Sequence, residues 1–120
     1  MKILIVEDNA AMADNIAKSV ATPEDEVFRC TTSALVLHMY EEHKPNVVLM
    51  DIRIKPLNGV KTTKMLKDLH PEVKVVMLTT HNEPEYREGA RQAGAVGYIL
   101  KDNLSSLRNF VEVMLGVKKE

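Results

Sequence analysis

A small set of residues in this 120-residue chain stands where it could do chemistry. Glu7 and Asp8 follow the apolar run Ile3 to Val6. Asp51 follows Val47 to Met50. Thr79 and Thr80 follow Val73 to Leu78, and Lys101 follows Val96 to Leu100. Carboxylates are rarely buried without a partner, so an aspartate at the tip of an apolar run needs a reason. Taken singly, each has a plain reading. Glu7-Asp8 suits a helix start, Asp51 a loop, Thr79 a strand, and Lys101 a solvated surface. Taken together they make a site. Two carboxylates about 4 Å apart repel by roughly 4 kcal/mol at an effective dielectric of 20. A divalent cation relieves that repulsion, and an all-oxygen donor set with room for water suits Mg²⁺ or Mn²⁺. Carboxylates, a cation, a lysine and a hydroxyl around one point suit phosphoryl transfer, with Asp51 as the nucleophile. No GxxxxGK[ST] or GxGxxG loop is present, so the phosphoryl group is expected from another molecule rather than from a bound nucleotide.

These residues converge only if the elements beneath them bring their ends together. Five short apolar runs (the fifth being Val27 to Cys30, which ends in Thr31) alternate with segments of helical character. The helical segments run over 9–20, 33–43, 59–69, 85–93 and 104–115. Asn9, Ser33, Asn58 and Asn103 are candidate caps, and Gly94 and Gly116 stand where helices end. Pro45 and Pro71 stop the second and third helices. Strand–helix repeated five times predicts an α/β fold: a doubly wound parallel sheet with helices on both faces. In such folds function gathers at the carboxyl ends of the strands.

Length and composition fit one domain over 1–120. Sixteen Lys and Arg against 17 Asp and Glu give a net charge of −1, so no basic face for nucleic acid is expected. The first apolar run is too short for a signal peptide or a membrane span. The single cysteine, Cys30, leaves no disulfide within the chain and reads as a small buried residue. A cytoplasmic location is the expectation. His38, His43 and His70 lack metal-ligand spacing and are expected at the surface. The seven methionines are expected mostly in the core.

At "ILIVEDN", "VVLMDIR", "VVMLTTH" and "GYILKD" the chain resembles a response-regulator receiver domain of two-component signalling, over essentially its whole length. The resemblance implies a flavodoxin-like sheet in the order 2-1-3-4-5. It implies a histidine kinase as phosphodonor and Asp51 as phosphoacceptor. It implies metal ligation by Glu7 (through water), Asp8, Asp51 and the Arg53 carbonyl. Lys101, the Thr79 hydroxyl and a backbone N–H near Thr80 would meet the phosphate. Thr79 and Tyr98 would form the switch that alters a surface of the fourth helix, fifth strand and fifth helix. Arg53 and His81 would modulate phosphate lifetime. "GYILKD" is similar to the branch with a helix-turn-helix DNA-binding output domain, of which 116–120 would begin the linker. Phosphorylation-dependent homodimers are a further expectation.

Two departures from the family pattern mark places to inspect. Ile54-Lys55-Pro56 puts the proline one place later than in many relatives. Asp102 follows Lys101 where many relatives have proline, so a cis bond there lacks its usual cause. A non-phosphorylated pseudo-receiver that binds protein is the main alternative. A Mg²⁺-dependent phosphatase is a third, although Arg53 cannot supply the general acid it would need.

Overall fold

The structure is a computed structural model and describes residues 1–118. Its elements are β1 (Lys2–Val6), α1 (Ala10–Val20), β2 (Glu26–Cys30), α2 (Val36–His43), β3 (Val47–Asp51), α3 (Gly59–Leu69), β4 (Val75–Thr79), α4 (Pro84–Ala93), β5 (Gly97–Leu100) and α5 (Leu107–Met114). All five strands pair in parallel, in the order β2-β1-β3-β4-β5. This is the expected flavodoxin-like fold.

Period-two alternation sorts the strand residues onto two cores. Leu4, Val48, Met50, Val75 and Met77 face α2, α3 and α4. Ile3, Ile5, Val47, Leu49, Val76 and Leu78 face α1 and α5. Residues 3–6, 47–50 and 75–78 are all buried, because both faces of the sheet are covered. All seven methionines lie in or against these two cores.

Most helix ends follow their local signals. Asn9 Oδ1 accepts from Met12 N–H at 2.8 Å, and Asn58 Oδ1 from Lys61 N–H at 2.9 Å. Gly94 closes α4 at φ 102°, a left-handed conformation that suits glycine. Two expected caps do other work. Thr32, not Ser33, caps the turn before α2, by accepting from Ala34 N–H. Asn103 lies inside a 3₁₀ stretch over Lys101–Ser106, with φ −126° and ψ 41°, and α5 begins only at Leu107. Among the described residues the one cis peptide bond is Lys55–Pro56, and Lys101–Asp102 is trans. None of the described helices is long and apolar enough to cross a membrane.

Candidate functional site

The sheet register brings the chemical residues level. Val6 pairs with Met50, Asp51 with Leu78, and Thr79 with Leu100. Glu7, Asp51, Thr79 and Lys101 therefore leave four adjacent strands at one edge. Strand β2 lies outside them, which matches its bland ending in Thr31.

Glu7, Asp8 and Asp51 converge, each offering a carboxylate oxygen within 4.8 Å of the others. Glu7 and Asp51 are buried, and Asp8 is exposed. Glu7 is already engaged on both oxygens. Lys101 Nζ donates to Oε1 at 2.7 Å, and Asn9 N–H donates to Oε2 at 3.1 Å. Asp51 is held through one oxygen only. Oδ1 accepts from Arg53 N–H at 3.1 Å and lies 3.3 Å from Lys101 Nζ. Among the described residues, no protein donor reaches Asp51 Oδ2. A carboxylate fixed through one oxygen leaves the other able to bind a cation or to attack an electrophile.

The residues present fit a divalent cation. Three carboxylates face one ammonium, so the pocket holds an excess of negative charge that a doubly charged ion would cancel. The Arg53 carbonyl has no protein donor among the described residues, which leaves a fourth oxygen at this edge. Hard oxygen donors of this kind take Mg²⁺ or Mn²⁺.

A second layer surrounds these groups. Thr79 is 1% exposed, and its Oγ1 accepts from His81 N–H at 3.0 Å. Thr80 follows it, exposed. Tyr98 packs against the core on the α4 side and donates its hydroxyl to the His81 carbonyl at 2.7 Å. Burial pushes the Tyr98 phenol up, against the opposing pull of the Thr79 hydroxyl and Arg87. The Arg87 guanidinium sits 4.7 Å from the centre of the Tyr98 ring. Arg53 donates to His81 Nε2 at 3.0 Å, and the His81 ring stacks on Tyr86 at 4.8 Å. The two residues expected to flank the phosphate are thus joined, bridging the loops after β3 and β4.

Other expectations divide. Cys30 is buried, and burial raises its thiol. His38 is exposed. His43 and His70 are half-buried instead, because each packs against an aromatic ring: His43 stacks on Phe28 at 3.9 Å, and His70 meets Tyr40 at 5.0 Å in a tilted arrangement. Two groups near the site escaped sequence reasoning. Asn9, expected only as a cap, also gives its own N–H to Glu7. Thr32 and Ser33 bond the loop after Asp51. The Ser33–Leu57 pairing spans 24 residues and shows in no local pattern, whereas the Asn9 N–H reaches back only two residues, to a carboxylate that cap preferences alone do not point to.

Comparisons with known proteins agree with this architecture. The family model described as "Response regulator receiver domain" matches residues 3–112. The transcriptional regulatory protein DegU of Brevibacillus brevis is 32% identical over 104 residues, 85% of this chain and 44% of its own length. The transcriptional regulatory protein LnrK of Bacillus subtilis (strain 168) is 35% identical over 104 residues, 85% of this chain and 47% of its own. The chain therefore spans about half the length of these curated relatives. Among solved structures, a CheY-like response regulator receiver domain protein from Methanospirillum hungatei JF-1 superimposes with a TM-score of 0.87. It is 27% identical, and the match covers 97% of this chain and 94% of that one.

Proposed function

Because this chain belongs to the response regulator receiver domain family, we propose that it takes a phosphoryl group from a histidine kinase onto Asp51. Asp51 Oδ2 attacks the phosphorus of the donor's phosphohistidine. The P–N bond breaks, the imidazole leaves, and an aspartyl phosphate forms. The observation that carries this reading is the state of Asp51: anchored by Arg53 N–H and Lys101 through Oδ1, with Oδ2 free.

Glu7 (through water), Asp8, Asp51 and the Arg53 carbonyl would hold Mg²⁺ or Mn²⁺, which when bound cancels charge on the transferring oxygens. Lys101 stands ready to pair with the phosphate once Asp51 is modified. The Thr79 hydroxyl, released from His81 N–H, and a backbone N–H near Thr80 complete the phosphate contacts. As Thr79 moves toward the phosphate it vacates space, Tyr98 turns inward to fill it, and this biases the surface of α4, β5 and α5. Arg53 and His81 together screen the acyl phosphate from water and set its lifetime. The output is transcription, through a DNA-binding domain outside residues 1–120 and a homodimer as the active form, with 116–120 as the start of the connection, of which 119–120 lie outside the described residues. The setting is the cytoplasm, and the domain itself holds no nucleic acid.

The test is direct. Incubation with Mg²⁺ and a small phosphodonor, followed by mass mapping, should place one phosphate on Asp51, and Asp51→Asn should abolish it. No label on the intact chain would favour the pseudo-receiver. Rapid turnover of many donor molecules per protein would favour a phosphatase.

A further inference from the structure

The edge strand that ends blandly in the sequence carries a clamp on the loop after Asp51. Residues 52–58 join Asp51 to α3 and contain Arg53, the one backbone ligand of the proposed cation site. Residues 55–58 of that loop are exposed. An exposed connection of this kind is mobile unless it is tied down.

Thr32 and Ser33, just past β2, tie it on both sides of Pro56. Ser33 N–H donates to the Lys55 carbonyl at 2.9 Å, and the Thr32 hydroxyl donates to the same carbonyl at 3.2 Å. Ser33 Oγ in turn accepts from Leu57 N–H at 2.8 Å. Ser33 is only 6% exposed, so its own two bonds are shielded from water, while the Thr32 bond lies at the surface. The cap of the following turn belongs to Thr32, which leaves the Ser33 hydroxyl free for the loop. The inner side of the loop is pinned as well. Gly59 N–H donates to the Ile52 carbonyl at 2.9 Å, and a Cβ on Gly59 would meet the Asp51 carbonyl oxygen at 2.6 Å. Between these two anchorages stands Arg53.

We propose that Ser33, with Thr32, is a positioning residue for the phosphoacceptor site. The clamp sets the place of the Arg53 carbonyl, and through it the affinity for the divalent cation. A metal ligand on an ordered loop needs no ordering when the ion arrives; one on a loose loop does. This rests on reading Glu7, Asp8, Asp51 and Arg53 as the cation site.

The test is a Mg²⁺ titration followed by amide NMR, with hydrogen exchange of residues 53–58 measured in the absence of Mg²⁺. Ser33→Ala should speed exchange of the Leu57 amide and weaken Mg²⁺ binding about tenfold, the low end for loss of an outer-shell partner of a metal site. Thr32→Val should act in the same direction, and Thr32→Ser should restore both readouts. Asp25→Asn, which lies at the far end of the sheet, should lower stability without moving Mg²⁺ affinity. That separates positioning from mere destabilisation. Unchanged Leu57 exchange in both clamp variants overturns the clamp. Faster exchange with unchanged Mg²⁺ affinity overturns its link to the site. Failure of the unaltered protein to bind Mg²⁺ overturns the cation reading and this inference with it, while the exchange data still report whether the clamp exists.

Discussion

At the amino-terminal end of the sheet, Asp25 is buried among donors. At the carboxyl end, Glu7 and Asp51 are buried about as deeply but share a single lysine. The side-chain exposures are 4% for Asp25, 2% for Glu7 and 9% for Asp51. Burial alone would raise the Asp25 carboxyl. The Met1 ammonium at 2.7 Å, the Thr22 N–H and hydroxyl, and Arg108 together hold it well below the usual carboxylate range. Arg108 also reaches the Val20 carbonyl and Glu112, so the cluster ties α1, β1, β2 and α5 together. Every charge there is answered from within the chain. At the other end negative charge is left over, and Asp51 keeps one oxygen free. One end is closed and holds the fold. The other is open, and its three carboxylates are arranged so that they could hold a cation.

The comparison can be broken by experiment. The largest effect should come from Asp51→Asn, which should abolish phosphate incorporation while the protein stays folded. In Mg²⁺-free buffer the same change should raise stability by about 1 kcal/mol, because it removes one of three crowded carboxylates. A loss of stability would mean that Asp51, like Asp25, mainly serves an ion pair. Asp25→Asn should do the reverse. It should cost about 3 kcal/mol in chemical denaturation, the scale of breaking a buried pair, and leave phosphorylation intact under folding conditions.

The pH dependence follows from the same carboxyl. The folded Asp25 carboxyl is depressed, so its stabilisation is fully present above the unfolded value and fades as pH falls through about 4 and below. Asp25→Asn should therefore flatten the acid limb of a stability–pH curve. An unchanged limb would remove Asp25 as its source.

Cation binding gives a smaller effect. At ten times its dissociation constant, Mg²⁺ should add about 1.4 kcal/mol to the unfolding free energy, and Asp51→Asn should shrink that gain. A similar gain in Asp51→Asn would place the ion elsewhere. The smallest effect lies away from both ends. Thr63 Oγ1, on α3, is buried without a hydrogen-bond partner among the described residues. Thr63→Val should stabilise by about 1 kcal/mol, and a loss would reveal a partner for that hydroxyl.

Much of this was legible in the residues. The continuous apolar runs specify buried parallel strands, because each strand is covered on both faces. Asn9, Asn58 and Gly94 mark helix ends, because capping is satisfied within a few residues. The placement of Glu7, Asp8, Asp51, Thr79 and Lys101 after those runs points to one sheet edge, because parallel strands share a direction. Ser33 and Asn103 show where this reading stops. Both have the chemistry of a cap, yet Ser33 reaches a loop 24 residues away and Asn103 sits within a 3₁₀ stretch.

The sequence by itself determined which elements form and which side chains arrive at the strand ends, since periodicity and capping act over a few residues. Only the tertiary structure decided who answers whose charge. Lys101 meets Glu7 across 94 positions, Arg108 meets Asp25 across 83, and Arg53 meets His81 across 28. Ion pairs and shielded hydrogen bonds depend on distance in space and on exclusion of water. Those quantities exist only once the sheet has brought its strands side by side.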